Sequence, residues 1–216
     1  SFNRATQAYR QIGSTIKPFV YLSALEKGYG PQSLILDAPV VGWRENNREW
    51  KPENYDRKFL GDITLRFSLE TSRNVPTVRL VEEIGVADAI ETAQRFGVYP
   101  EKLSMNESLA LGSGETTLEK LVSGYSAFVN GGHVIKPQMV DYIEDRYGNI
   151  LGGKPSEQIE WNPDLLPPQV NEVDEPLSDP QSLYQLVSIL QGAVERGTGK
   201  QARVIARSEE RFSRNA

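Results

Sequence analysis

The sequence predicts a helix-rich α+β domain, and three observations carry that prediction. Apolar residues return at helical intervals in six separate stretches, several of them opened by proline and closed by glycine. Strand-like and turn-rich segments fall between them, at 33–60 and 134–151. A chain of 216 residues with 38% hydrophobic content supports one core of ordinary size and is short for two.

The first helix runs over Ile16 to Leu25, where Ile16, Phe19, Val20, Leu22 and Leu25 recur at helical spacing and Gly28 and Gly30 supply a stop. Pro18 belongs in the first turn, where its missing N–H costs nothing, so the helix begins near Ser14 or Thr15. Residues 33–60 hold Pro39, Pro52 and several aromatics, consistent with loops and a short strand pair. "DITLRFSLETS" reads as a short helix, "PTVRLVEEIG" as a second opened by Pro76, and "VADAIETAQRFG" as a third closed by Gly97. Thr116 and Glu119 form a capping box for "LEKLVSGYSAFVNGG", with Leu118, Leu121, Val122, Tyr125 and Val129 on one face. A strand and a turn at Tyr147 to Asn149 follow, then a Pro-rich surface excursion from Gly152 to Ser178. Asp179 and Pro180 cap the last amphipathic helix, which ends at Gly197.

Charge and composition exclude several functions. The net charge is -5 and basic residues are spread along the chain, so no basic stripe offers a nucleic-acid surface. The chain has no cysteine, which removes thiol nucleophiles, disulfides and cysteine-rich zinc sites together. No apolar run reaches the roughly 18 residues of a membrane span, and the start lacks the apolar core of a signal peptide.

The chemistry centres on "GSTIKPF". A serine hydroxyl needs a base to become a nucleophile. The chain's one histidine, His133, lies in the turn-like "NGGHVIKP", which makes a Ser-His-Asp triad a weak option. Lys17 stands three residues after Ser14, one helical turn on and nearly on the same face, within hydrogen-bond reach. As a base it must be neutral, which requires its pKa to fall from about 10.4 towards 7. The apolar neighbours Ile16, Phe19 and Val20 favour that fall, and the N–H groups at the helix start favour an anion forming on a bound carbonyl. By spacing alone, Ser14 and Lys17 are either this pair or two ordinary polar residues at a helix start. Ser14-Thr15-Ile16-Lys17 is nonetheless the one Ser-x-x-Lys in the chain.

A Ser-x-Asn triplet could relay a proton and hold a peptide-like substrate. The chain offers Ser1-Phe2-Asn3, Ser72-Arg73-Asn74, Ser104-Met105-Asn106 and Ser213-Arg214-Asn215. Ser72 and Asn74 are the choice, because they sit in a tight loop between two helices where both side chains can project together. The alternative is that either residue merely caps the helix beginning near Val75.

"FNRATQAYRQIGSTIKPFVYLSALEKG", "SRNVPTVRL" and "ALGSGETTLEKLVSGYSAFVNGG" resemble, in order, segments of the transpeptidase domain of class A penicillin-binding proteins, the bifunctional synthases of peptidoglycan. The resemblance runs from Phe2 to about Arg207 and implies a β-lactamase/transpeptidase-like fold with serine acyl transfer. Ser14 would attack the D-Ala-D-Ala amide of a stem peptide, Lys17 would take its proton, and Ser72 with Asn74 would relay protons and position substrate. β-Lactams would acylate Ser14 instead. No metal or organic cofactor is implied. The family adds a glycosyltransferase module and a membrane anchor upstream, placing the parent protein on the periplasmic face of the inner membrane.

The departures are specific. The family's Lys-Thr-Gly is absent; Gly197-Thr198-Gly199-Lys200 stands where the family has the segment preceding that strand, and residues 208–216 follow as an off-family tail. The second oxyanion donor that the family places on that strand is therefore missing. Residues 1–207 read as a partial domain lacking much of its central antiparallel sheet, which should leave the apolar side of the Ile16 to Leu25 helix without a partner. The rival functions are a penicillin-binding sensor that never turns over, and a β-lactamase or D,D-carboxypeptidase that sends water to the acyl-enzyme.

Overall fold

The computed structural model describes residues 2–40, 42–43, 49–103, 107–134, 137, 140, 142–153 and 175–202. Its centre is helix α1 (Lys17–Glu26), entered through a 3₁₀ turn at Gly13–Ile16. Ile16 and every residue from Lys17 to Leu25 are buried, because "IKPFVYLSAL" is apolar nearly all round and such a helix must be covered on every side. Phe19 stacks edge-on or tilted against Phe96, Tyr125 and Phe128, with ring centroids 5.8, 5.4 and 4.8 Å away. The expected uncovered side of this helix does not exist: the chain's own helices enclose it.

A two-residue strand, β1 (Arg10–Gln11), leads into that turn. Beyond α1, β2 (Leu34–Asp37) and the short strands β3 (Gly42–Trp43) and β4 (Glu49–Trp50) precede β5 (Gly61–Thr64). β3 pairs with β4, and β2 pairs antiparallel with β5, Ile35 opposite Ile63. Asp62 to Thr64 are therefore strand and not the helix start expected from "DITLRFSLETS". β-Branched Ile63 and Thr64 satisfy the ladder, and the Thr64 hydroxyl then accepts from the Phe67 N–H at 3.1 Å to start α2 (Leu65–Glu70).

Helices α3 (Val75–Ile84) and α4 (Val86–Arg95) follow where Pro76 and Gly97 place them. β6 (Glu115–Thr116) pairs with β1, Arg10 opposite Thr116. Thr116 is thereby held in a strand, and the cap of α5 (Leu118–Val129) is Thr117, whose hydroxyl accepts from the Lys120 N–H. This replaces the expected Thr116–Glu119 box. The apolar face also divides: Gly124, Ala127 and Phe128 are buried, whereas Leu118, Val122 and Val129 are 58%, 58% and 77% exposed.

β7 (Tyr142–Glu144) and β8 (Ile150–Gly153) form a hairpin around the expected turn. Asp179 accepts from the Ser182 N–H at 2.8 Å and caps α6 (Pro180–Glu195). The turn after α6 docks on the end of α2. The Thr198 N–H donates to the Glu70 carbonyl at 3.1 Å, Arg196 pairs with the buried Glu70 carboxylate at 2.7 Å, and a Cβ on Gly197 would stand 1.9 Å from the Glu70 carbonyl oxygen. Only glycine permits that approach. Among the described residues the strands make four separate pairs and no larger sheet. Of the Pro-rich excursion expected from Gly152 to Ser178, Gly152 and Gly153 belong to β8, and 154–174 lie outside the described residues, as do the tail over 208–216 and Ser1, Ser104 and Ser213 of the other Ser-x-Asn triplets.

Candidate active site

Helix α1 carries Lys17 in its first turn, and burial leaves the side chain 1% exposed. Its Nζ donates to the Asn74 Oδ1 at 2.7 Å, the Ser72 carbonyl at 2.8 Å and the Arg73 carbonyl at 3.1 Å, and lies 3.2 Å from the Ser72 Oγ. All four partners thus belong to the tripeptide 72–74, and none is on Ser14. Desolvation by burial brings Lys17 down from 10.5 to about 7. An ammonium has three N–H donors for these four partners, whereas the neutral amine offers two and a lone pair that can take a hydroxyl proton.

Ser72 reaches this position through the way α2 ends. The Arg73 N–H donates to the Ser68 carbonyl and the Ser72 N–H to the Leu69 carbonyl, which is the Schellman closure of a helix. The residue at the turning point is normally glycine, and here Ser72 takes φ +54°. A non-glycine residue in that conformation carries strain of about 1 to 2 kcal/mol. What the serine supplies in return is a hydroxyl beside Lys17.

Arg73 points the opposite way, into the protein. Its guanidinium donates to Asp37 at 2.7 and 3.0 Å and to Asp56 at 2.8 Å, tying the tripeptide to β2 and to the loop before β5. Behind Lys17, the Thr77 hydroxyl donates to the Arg73 carbonyl at 2.7 Å, and Tyr21 meets Thr77 at 3.2 Å and Ser68 at 2.6 Å. Burial pushes the Tyr21 phenol up, so it stays protonated and acts as a hydrogen-bonding group. Asp37, Asn54, Asp56 and Arg73 were not legible as site residues: "ENYDRK" has no motif, and their relation is spatial.

Ser14 sits in the 3₁₀ turn with an exposed side chain. The turn is held by the Gly13 N–H on the Gly112 carbonyl at 3.1 Å and by the Tyr125 hydroxyl on the Thr15 carbonyl at 2.7 Å. His133 lies in the turn after α5, where its N–H donates to the Asn130 carbonyl, and it takes no part in the Lys17 cluster. The structure thus gathers Lys17, Ser72 and Asn74, and leaves Ser14 one turn earlier on an open edge. That arrangement holds a buried amine against one hydroxyl and one amide, Ser72 and Asn74, one helical turn after the exposed hydroxyl of Ser14.

The penicillin binding protein transpeptidase domain family matches residues 1–210. Penicillin-binding protein 1A of Neisseria flavescens is 37% identical over 211 residues, covering 97% of this chain and 25% of that protein. The protein of the same name from Rickettsia conorii is 37% identical over 214 residues, covering 95% and 27%. The chain therefore spans about a quarter of the length of the curated relatives it matches. Among solved structures, penicillin-binding protein 1A from Haemophilus influenzae superposes with a TM-score of 0.78 at 28% identity, over 93% of this chain and 33% of that one.

Proposed function

The chain belongs to the penicillin-binding protein transpeptidase domain family, and from that membership we propose that it supplies the acylating residues of a D,D-transpeptidase that cross-links peptidoglycan. The observation that carries this reading is Lys17: a buried amine brought to about 7, one helical turn after an exposed serine and in contact with Ser72 and Asn74.

In this reading the Ser14 Oγ attacks the carbonyl of the terminal D-Ala-D-Ala amide while its proton passes to the Lys17 lone pair. The C–N bond breaks, the departing D-alanine amine receives a proton by way of the Ser72 hydroxyl, and the acyl group stays on Ser14. An amine from a second stem peptide then attacks the ester, yields the cross-link and frees Ser14. Asn74 holds the peptide backbone, and a β-lactam enters by the same first step and remains bound. Residues 1–207 are part of this domain, and the family match runs three residues into the stretch 208–216 that reads as a tail. The longer protein also carries a glycosyltransferase domain and a membrane anchor, and works on the periplasmic face of the bacterial inner membrane. Among the described residues no helix is long and apolar enough to cross a membrane.

The test is labelled penicillin on a chain extended to the length of its relatives. Mass spectrometry is expected to find the adduct on the peptide containing Ser14. Lys17→Arg is expected to lose roughly 10² to 10⁴ in acylation rate, since a guanidinium keeps its proton at working pH. Label on Ser72, label retained in Ser14→Ala, or a Lys17→Arg protein reacting like the parent would each overturn the assignment.

A further inference from the structure

Helix α3 begins without the cap its own sequence provides. Asn74 is the N-cap residue, and asparagine there ordinarily turns its side-chain oxygen onto the first N–H groups of the helix. Here Asn74 has φ -87° and ψ -50° and makes no such bond. Its Oδ1 instead receives the Lys17 Nζ at 2.7 Å, and its Nδ2 donates to the Glu53 carbonyl at 2.8 Å.

The first two N–H groups at the head of α3 are instead met from a distant loop. Asn54, 2% exposed, turns its Oδ1 to the Asn74 N–H at 2.9 Å and the Val75 N–H at 3.1 Å. Its Nδ2 donates to Asp37 at 2.7 Å and to the Lys58 carbonyl at 2.9 Å. The amide is thus satisfied on both sides, which fixes its orientation, and the same Asp37 carboxylate anchors Arg73.

We propose that Asn54 is a positioning residue for the acylation site: it holds the Asn74 and Val75 N–H groups at the head of α3 and so fixes the backbone from which the Asn74 side chain reaches Lys17. The inference rests on the proposed roles of Lys17 and Asn74 and adds how the second comes to face the first. Without Asn54, the Asn74 and Val75 N–H groups lose their partner, and the head of α3 loses its tie to the loop before β5. With that backbone free to shift, the Asn74 Oδ1 is no longer held at Lys17.

The test compares Asn54→Ala, Asn74→Ala and the double variant in the extended protein, with acylation by labelled penicillin referred to the folded fraction. Asn54→Ala is expected to slow acylation by roughly 10- to 100-fold, the order of loss that a 1 Å misplacement produces. Once Asn74 is alanine, adding Asn54→Ala is expected to change the rate little, because the two act through one side chain. The lysine ¹³Cε resonance of Lys17 is expected to move alike in both single variants. If Asn54→Ala does not fold, Asn54→Ser, which keeps an oxygen but is too short to span both N–H groups, takes its place in the same comparison. Fully additive effects on rate, or an unmoved Lys17 resonance in the Asn54 variant, would overturn the proposal. A Lys17→Arg protein that still acylates would remove the proposed function as well, whereas an inactive Lys17→Arg beside an Asn54→Ala at parent rate removes this inference alone.

Discussion

Lys17 and Ser72 show what single residues give up for the site. The fold keeps a Lys17 amine at about 7 that in water would sit at 10.5. Below pH 7 the native protein holds a proton on a buried amine and the full cost falls on stability. Between 7 and 10.5 the unfolded chain keeps a proton the native state has released, so stability rises with pH across that window. Relative to Lys17→Met, the parent's stability in urea is expected to rise by on the order of 4 kcal/mol from pH 7 to 10. A constant difference would show that the amine is not desolvated. Ser72 is the second case. Ser72→Gly removes left-handed strain and is expected to stabilise by about 1 kcal/mol, while acylation falls for want of the hydroxyl. Ser72→Ala should lose the same activity with no gain in thermal stability. If both variants melt alike, the strain assigned to Ser72 is wrong.

At the scale of elements, the decisive contacts are between backbones. A Cβ on Gly112, at φ +84°, would stand 2.0 Å from the Gly13 carbonyl oxygen, so the segment before β6 can touch the turn bearing Ser14 only as glycine. Gly112→Ala is therefore expected to displace that turn and slow acylation by roughly 100-fold. The Lys17 cluster, built from α1, α2 and α3, should be left intact. Unchanged labelling of Ser14 in this variant would show that the turn holds its place without Gly112. The helices themselves were mostly legible, since Pro18, Pro76, Asp179 and Pro180 mark starts by local chemistry. The misreadings at Asp62 and Thr116 share one cause: both residues sit in strands paired with segments far off in sequence, and no local pattern reports a distant partner.

For the whole molecule, α5 leaves apolar side chains exposed whereas α1 leaves none. Leu118 is exposed in a groove of about 370 Å³ also lined by Phe2, Ile12 and Leu121, Val122 is exposed on the same helix, and the hairpin leaves Ile143 and Leu151 exposed. Exposed apolar surface of this kind promotes association. The 216-residue chain by itself is therefore expected to associate in light scattering, give a mostly helical spectrum and label poorly with penicillin. The sequence holds no Lys-Thr-Gly, and under the proposed function the oxyanion donor on that strand is worth roughly 10² to 10³ in rate. Extension by the flanking strands should restore both solubility and labelling. A monodisperse 216-residue chain reacting as fast as the extended one would contradict this account.

The sequence by itself determined the helix-rich character and the buried helix after Ser14, because periodicity and caps are local properties written in adjacent residues; Ser72-Arg73-Asn74 it offered as one of four Ser-x-Asn triplets. The tertiary structure decided which groups meet. Lys17 turns to 72–74 and not to the serine three residues before it, Arg73 reaches Asp37 and Asp56, and Asn54 holds the head of a helix about twenty residues away. Those pairings follow from burial: once α1 is enclosed, each polar group inside must find a partner in whatever element packing has brought alongside, and that neighbour is a property of the folded whole.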